Sequence, residues 1–216
     1  MPEFINLRTF AETIQNRARP SAMFIRILNW LKPIFGAFIL IALLQVTGLM
    51  GSVSYFAQSA MLKTGVRNAS AKPLKNPEPF DFNFKVRNTA GEKISFDRYK
   101  GKVIFLNLWA TWCGPCRAEM PTIQSLFEKM DTTGVEFVIL SIDRDSDEPK
   151  IARYINQFKY TFPVYRPSGT LPAQIDIDYI PTTLIINKEG KIISKEVGAT
   201  NFDTPKFRKF LSQLLQ

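Results

Sequence analysis

The sequence predicts an α/β sandwich with a mixed sheet, preceded by one transmembrane helix. Two observations support the sandwich. Near-continuous apolar runs, typical of buried strands, alternate with helical segments, and the chain ends in a β-hairpin followed by a helix. A third observation supports the membrane helix, because the 30 positions from 33 to 62 contain no charged residue. Of the 216 residues, 45% are apolar, which is enough for a buried core.

The uncharged run is predicted to contain the membrane anchor at residues 34–57. About 20 mostly apolar residues span the hydrocarbon core of a bilayer, so the segment is long enough. One alternative is a buried helix of a soluble protein, which would normally carry a polar stripe. The other is a signal peptide cleaved near Ala57-Gln58-Ser59. Against cleavage, residues 1–33 are long for the segment that precedes the apolar run of a signal peptide.

Residues 1–33 are predicted to be a cytoplasmic N-terminal segment. They hold five basic and two acidic residues, whereas Lys63 and Arg67 follow the uncharged run. A basic excess marks the cytoplasmic side of a membrane segment, so the rest of the chain is expected on the other face. The piece from Leu7 to Trp30 is either an amphipathic helix on the membrane surface or a flexible tail.

Residues 58–79 are predicted to form a flexible linker. Pro73, Pro77 and Pro79 prevent a stable helix or a central strand there, and few residues are apolar. A globular domain follows over residues 80–216, and it is long enough to form its own core.

The first elements of this domain are a strand pair and a buried strand. Residues 80–87 alternate with period two and predict a strand, which turns at 88–91 and pairs with 93–96. Residues 103–109 predict a strand that is buried on both faces. The remaining predicted elements are a helix from 116 to about 130, a strand at 135–142, a helix at 148–158, a short strand at 162–165, strands at 183–187 and 191–197, and a helix at 202–215.

The composition excludes several kinds of site. The chain has no histidine, which removes a histidine base, a histidine metal ligand and a Ser-His-Asp triad. Two cysteines without histidine predict no metal site within one chain and leave only a half-site shared between two chains. The net charge is +9, but no basic cluster is interleaved with aromatic residues, so no nucleic-acid partner is predicted.

Cys113 and Cys116 are the only cysteines, and their C-x-x-C spacing lets them form a disulfide with each other. Cys113 lies where a buried strand gives way to a helix. Backbone N–H groups and the helix dipole favour a thiolate there, so its pKa is expected below about 8.5. Cys116 is one turn further on and is expected to be more buried. Cys113 is therefore predicted to attack a substrate disulfide, and Cys116 to resolve the mixed disulfide.

Two further observations concern the residues of this motif. Gly114 keeps bulk away from an incoming sulfur, and Pro115 fixes φ at the start of the helix. A purely structural disulfide is the alternative interpretation. Such a disulfide would stabilise the fold little, because closing so short a loop restricts the unfolded chain very little.

Residues 109–121 read W-A-T-W-C-G-P-C-R-A-E-M-P. They resemble the active-site signature of membrane-anchored, thioredoxin-like thiol-disulfide oxidoreductases of the TlpA/ResA type. Y-K-G-K-V at 99–103 and I-P-T-T-L-I-I-N at 180–187 fit the same pattern. The resemblance covers residues 80–216 and the layout of anchor and linker. It implies a thioredoxin-like three-layer sandwich, a mixed sheet with helices on both faces and an N-terminal β-hairpin extension.

The resemblance also implies site residues. Pro181 matches the proline held in cis beside the cysteines, and a trans loop proline is the alternative. Glu119 matches a glutamate near the cysteines that tunes a thiol or moves a proton; a solvated helix residue is the alternative. Trp109 is either part of the active-site surface or plain core. The implied substrate-binding residues are Trp112, Gly114, Pro115, Ile180 and Pro181.

Two residues depart from the pattern of thioredoxin and of the family. Asn107 stands where thioredoxin has a buried aspartate, and an amide cannot accept a proton. The role of base therefore falls to Glu119, to water or to no group. Tyr179 stands where the family often has glycine, so it either narrows the substrate groove or lies against the cysteines.

The function implied is reduction of disulfides in exported proteins, on the periplasmic side of a bacterial cytoplasmic membrane. The implied partners are protein disulfides, with apo-cytochrome c among them, a membrane thiol-reductase as electron donor, and the lipid bilayer. No cofactor is expected beyond the Cys113–Cys116 pair. The alternatives are a thiol peroxidase, which would need Thr-x-x-Cys, and a non-catalytic binding or chaperone module that uses the groove beside Ile180.

Overall fold

The computed structural model describes residues 22–46, 57–62, 64–65, 67–130, 134–175 and 179–216. The chain divides into two compact units, Met1–Met50 and Gly51–Gln216. The described part of the first unit is helix α1 (Ala22–Val46). Over these ranges, no helix has both the length and the apolar character needed to cross a membrane. Residues 34–46 of the predicted anchor lie in α1, and positions 47–56, like the tail at 1–21, fall outside the described residues.

The described part of the second unit contains a mixed sheet, three helices of nine or more residues, and short helical segments at 57–62, Phe96–Tyr99 and Asp145–Asp147. In chain order its elements are β1 (Glu78–Pro79), β2 (Lys85–Asn88), β3 (Lys93–Ser95), β4 (Val103–Trp109), α2 (Gly114–Lys129), β5 (Val135–Ser141), α3 (Glu148–Phe158), β6 (Val164–Pro167), β7 (Thr182–Ile186), β8 (Lys191–Val197) and α4 (Pro205–Gln213). The strand order is β1-β8-β7-β4-β5-β6-β2-β3. β4, β5 and β6 are parallel, and β7 joins β4 antiparallel. The predicted mixed sheet is confirmed.

The helix caps explain where two helices differ from their predicted bounds. α2 begins two residues before the predicted start, because Cys113 caps it and Pro115 lies in its first turn. α4 begins later than predicted, because the Thr204 hydroxyl accepts a hydrogen bond from the backbone N–H of Phe207 and caps the helix there.

Only the end of the predicted strand at 80–87 pairs in the sheet. Phe80, Phe82 and Phe84 are buried in alternation, as the pattern predicts. Their backbone makes no regular ladder: the N–H of Phe84 donates to the carbonyl of Phe82, whereas the N–H of Phe80 donates to the carbonyl of Gly190. The period-two pattern therefore reports burial on one face, and the strand proper begins at β2.

The segment predicted as a linker is hydrogen-bonded to the domain over residues 67–79. Leu74 donates its backbone N–H to the carbonyl of Ile193 at 2.7 Å, and β1 pairs with the start of β8. Asn68 forms a parallel bridge with Asn201. The prediction of a flexible linker is wrong for these residues, because the exposed edge of β8 offers partners to their backbone groups.

The three long α-helices of this unit cover one face of the sheet. Within the part of the chain that the structure describes, only a short 3₁₀ helix (Phe96–Tyr99) lies on the other face, where the prediction also expected helices. Buried residues of α2, α3 and α4 pack in one core cluster, with Phe105 and Ile185 of the sheet. The opposite cluster contains alternate residues of the same strands, such as Leu106, covered by the aromatic segment at 80–84 and by Phe96. Aromatic side chains, including Phe96 and Tyr99 of this 3₁₀ helix, supply the apolar cover on that face.

Candidate active site

The two cysteines lie at the start of α2, directly after the central strand β4. Cys113 is the N-cap, and its Sγ accepts a hydrogen bond from the backbone N–H of Cys116 at 3.1 Å. The two residues are joined by a disulfide. Cys113 retains 5% exposure, whereas Cys116 has none. A nucleophile from solvent therefore reaches the sulfur of Cys113 first.

The loop before β7 lies beside this disulfide. The Ile180–Pro181 peptide bond is cis. The carbonyl oxygen of Ile180 lies 3.8 Å from the Sγ of Cys113, although 67 residues separate them in the chain. Pro181 is buried and Ile180 is half-buried, so the edge next to Cys113 is formed by backbone.

The surface around Cys113 carries two exposed aromatic side chains. Trp112 is 68% exposed and Tyr179 is 72% exposed. Trp112 lines a cleft of about 330 Å³ that also contains Arg117 and Arg153. Tyr179 lines a separate groove of about 520 Å³ that runs over β7 and β8 and contains Leu184. Gly114 and Pro115 are half-buried at the same end of α2.

Glu119 is buried below the disulfide, with 1% exposure, so the alternative of a solvated helix residue is wrong. Its carboxylate accepts hydrogen bonds from the side-chain amide of Asn107 at 2.8 Å and from the backbone N–H of Thr200 at 2.9 Å. Burial raises the pKa of Glu119 to about 8, against the two hydrogen bonds, which lower it. A buried carboxyl that titrates near neutral pH is suited to exchange a proton.

Asn107 holds Glu119 in place. Its side-chain N–H₂ also donates to the hydroxyl of Thr183 at 2.9 Å. Its Oδ1 is buried and accepts no hydrogen bond from any described residue. The amide thus contacts the carboxyl that can titrate, which fits the inference that Asn107 is not itself the base.

Sequence reasoning missed Asp143. This buried carboxylate accepts hydrogen bonds from the backbone and hydroxyl of Thr111, at 2.9 and 2.6 Å, and from the hydroxyl of Ser141 at 2.6 Å. It therefore fixes the loop that carries Trp112. The signal was present, because Asp143 follows β5 at the sheet end where β4 also stops, and the two strands are parallel.

Trp109 belongs to the core. It is fully buried, and its ring lies 5.5 Å from that of Tyr154. Among the described residues, no three acidic, cysteine or histidine side chains cluster closely enough to hold a metal ion.

The Redoxin family profile matches residues 75–211, which is well over half of the chain. The chain belongs to the Redoxin family. It is 38% identical over 117 residues to a thiol-disulfide oxidoreductase ResA of Bacillus cereus, covering 54% of this chain and 66% of that relative. It is 35% identical over 120 residues to the ResA of Bacillus subtilis (strain 168), covering 54% and 64%. The matches thus span slightly less than two thirds of these relatives.

A solved structure supports the fold of this Redoxin-family chain. The thiol:disulfide interchange protein of the thioredoxin family from Chlorobium tepidum TLS superposes with a TM-score of 0.53 at 25% identity. The superposition covers 66% of this chain and 99% of that one. The fold is therefore thioredoxin-like.

Proposed function

We propose that this chain is a thiol-disulfide oxidoreductase that reduces disulfides of exported proteins through Cys113 and Cys116. The observation that carries the proposal is their disulfide at the start of α2, in which Cys113 keeps 5% exposure and Cys116 is fully buried. The similarity to relatives named ResA supports the same chemistry.

In the first step, the thiolate of reduced Cys113 attacks one sulfur of the client disulfide. A bond forms between Cys113 and that sulfur, the client S–S bond breaks, and the second client sulfur leaves as a thiolate that takes up a proton. The N–H of Cys116 points at the Sγ of Cys113, and the N-terminus of α2 lies behind it. Both stabilise the attacking thiolate.

In the second step, Cys116 loses its proton and attacks the sulfur of Cys113. The Cys113–Cys116 bond forms, and the remaining client sulfur leaves as a thiolate. Glu119 lies three positions after Cys116, on the same face of α2, and we assign it as acceptor of the Cys116 proton. With a pKa of about 8 in the disulfide form, the carboxyl holds this proton at neutral pH. When the donor reduces the disulfide, the proton returns to the Cys116 thiolate, and the ionised Glu119 is restored for the next turnover.

Asn107 serves both charge states of Glu119 in this scheme. The ionised carboxylate accepts from the N–H₂ of Asn107. The protonated carboxyl needs an acceptor, and rotation of the amide about its Cβ–Cγ axis by half a turn presents the unpartnered Oδ1. The hydroxyl of Thr183 accepts from the N–H₂ of Asn107 in one amide orientation and can donate to Oδ1 in the other.

We place the client segment across the surface formed by Trp112, Gly114, Pro115, Ile180 and Pro181. The backbone of Ile180 lies next to Cys113, where we place its hydrogen bonds to an extended client strand. The exposed ring of Trp112 supplies apolar contact area.

We further propose that the catalytic domain lies outside the cytoplasmic membrane of a bacterium, anchored by residues 34–57. The uncharged run and the basic excess before it support this arrangement. A reductant in such an oxidising compartment has to be supplied with two electrons per turnover, so a membrane thiol-reductase is the proposed donor. Cysteines of apo-cytochrome c are among the proposed clients, and the Cys113–Cys116 disulfide is the only redox group required.

A thiol peroxidase is the less favourable candidate. The hydroxyl of Thr111 is bonded to Asp143, and Thr111 precedes Cys113 by two positions rather than three. A non-catalytic binding module would not require a second cysteine that is fully buried behind the first.

The test is capture of clients by Cys116→Ser in cells. Without the resolving thiol, exported proteins are expected to remain linked to Cys113 in complexes that a thiol reductant releases. The double variant Cys113→Ser/Cys116→Ser is the matched control and is expected to capture none. Complexes that persist in the control, or no complexes with either variant, would contradict the proposal.

A further inference from the structure

A leading segment, formed by Leu62 and residues 67–74, precedes the Redoxin-matched region and lies against the loop that contacts Glu119. Its residues 67–70 run alongside residues 196–201. The carbonyl of Arg67 accepts from the N–H of Asn201 at 2.7 Å, and the carbonyl of Asn201 accepts from the N–H of Ala69 at 3.0 Å. These two bonds form a short ladder between segments more than 100 positions apart in the chain.

A side-chain contact extends this attachment to α2. Leu62 is 2% exposed and packs with Ala118 and Ala199 in a small buried cluster of its own. Ala118 directly precedes Glu119, and Ala199 directly precedes Thr200. Leu62 therefore bridges the two elements that meet at the hydrogen bond between Thr200 and Glu119.

Arg67 also brings a positive charge to this place. Its guanidinium donates to the carbonyl of Val197 at 2.8 Å. The charged groups that act on Glu119 are Arg67 from the leading segment and Glu196 from β8, and β4 contributes the neutral Asn107; Cys116 of α2 is held in the disulfide and carries no charge. The carboxylate of Glu196 accepts from the N–H of Ser70, so the leading segment contacts this group too.

We propose that Leu62 and residues 67–70 are a positioning part of the active site. They hold residues 196–201 against Glu119, and the guanidinium of Arg67 adds a positive charge where it bonds to Val197. The catalytic meaning of this inference rests on the proposed function, whereas the contacts and the titration of Glu119 do not. A positive charge favours the ionised carboxylate, so Arg67 opposes the effects of burial and of Glu196 on the pKa of Glu119.

The charge effect is tested by titrating the Glu119 carboxyl with ¹³C NMR in the oxidised full chain, with Glu119→Gln to assign the signal. Arg67→Gln is expected to raise the pKa of Glu119 by about half a unit, while Arg67→Lys, which keeps the charge, changes it by less than about 0.2. Arg67 is exposed, so neither substitution opens a cavity. Arg98→Gln is the control, since Arg98 lies over the ring of Tyr99 on the other face of the sheet.

An unchanged pKa in Arg67→Gln would overturn the charge part of the inference. Equal shifts in Arg67→Gln and Arg67→Lys would overturn it as well, because they would report a structural disturbance. If the unmodified chain did not reduce protein disulfides, that result would contradict the proposed function. The titration of Glu119 would still give its pKa and would still test the charge effect.

The holding effect is tested by amide hydrogen exchange at Thr200. Leu62→Ala is expected to speed exchange of this N–H at least about tenfold, because the contact between Leu62 and Ala199 is lost. Leu74→Ala is the matched control, since Leu74 lies in the same leading segment but is 40% exposed. Equal protection of Thr200 in both variants and in the unmodified chain would overturn the holding role.

Discussion

The two sides of the Cys113–Cys116 disulfide have opposite characters. On the outer side, Trp112 and Tyr179 are 68% and 72% exposed, and backbone of the cis-proline loop lies beside Cys113. On the inner side, Cys116 is fully buried and Glu119 is 1% exposed, with hydrogen bonds to both carboxylate oxygens. The outer side offers exposed aromatic contact area and one backbone edge, whereas the inner side is a buried network of side-chain and backbone hydrogen bonds.

The difference in exposure assigns client binding to the outer side and control of the pH dependence to the inner side. Side chains on the outer side are expected to determine which client binds and how well. Groups on the inner side are expected to determine the pH at which exchange proceeds, because desolvation makes each charge there matter more. Substitutions on the outer side should therefore change client affinity, and substitutions on the inner side should change the pH dependence.

The largest effect is expected from the cysteines themselves. Cys113→Ala should reduce disulfide reductase turnover to the uncatalysed rate, because no thiolate remains at the surface. Cys116→Ala should still attack a client once but should not release it. Single-turnover and steady-state assays with a disulfide-bonded protein distinguish the two. Multiple turnovers by Cys116→Ala would contradict the division of roles.

The next largest effect is the pH dependence of stability that Glu119 contributes. Its pKa is about 8 when folded and 4.5 without the fold, so between these values the folded chain holds a proton that the unfolded chain lacks. The free energy of unfolding should therefore fall as the pH rises from about 5 to 8, by up to about 1.4 kcal/mol per unit. This contribution is full below the lower pKa and lost above the upper one.

Glu119→Gln should flatten that decline, since the amide cannot ionise. Urea unfolding at several pH values measures the change of the free energy of unfolding with pH. Glu128→Gln, which changes an exposed glutamate on the same helix, should retain the slope of the unmodified chain. Parallel profiles for Glu119→Gln and the unmodified chain would show that Glu119 is not the titrating group.

A smaller effect is expected at Asp143, which links the two sides by fixing the Thr111 loop. In Asp143→Asn one carboxylate oxygen becomes a donor and faces the donors of Thr111 and Ser141. The change should destabilise the fold by about 1–3 kcal/mol. Asp147→Asn, at a partly exposed ion pair with Lys150, should alter it by less than about 1 kcal/mol. Equal unfolding midpoints would contradict the assigned role.

The smallest effect is expected on the outer side. Trp112→Ala should lower kcat/KM for a protein client about fivefold, which corresponds to about 1 kcal/mol of lost aromatic contact, mainly through KM. The pH at which activity is half-maximal should not move, and Trp112→Phe should recover part of the loss. A shifted pH profile in Trp112→Ala would mean that the two sides are not separate.

The sequence predicted the elements that depend on local pattern. The apolar run of β4 and the amphipathic α3 both match their predicted bounds, because burial dominates their periodicity. The cysteines, Ile180 and Pro181 come together as the resemblance implies.

What the sequence did not reveal depends on contacts between distant segments. Thr200 bonds to Glu119 through its backbone, and no side-chain pattern reports a backbone donor. Residues 67–79 look like a linker because their proline content and low apolar content exclude regular structure, yet their partners lie on the edge of β8. Phe80, Phe82 and Phe84 read as a strand because burial on one face has the same period as a strand.

The central claim is that Cys113 faces the client and Cys116 does not. It is tested most directly by treating the reduced chain with limiting iodoacetamide at neutral pH and locating the modified cysteine by mass spectrometry. Cys113 is expected to be alkylated at least about tenfold faster than Cys116, since Cys113 is the accessible thiolate. Equal labelling of the two, or faster labelling of Cys116, would contradict it.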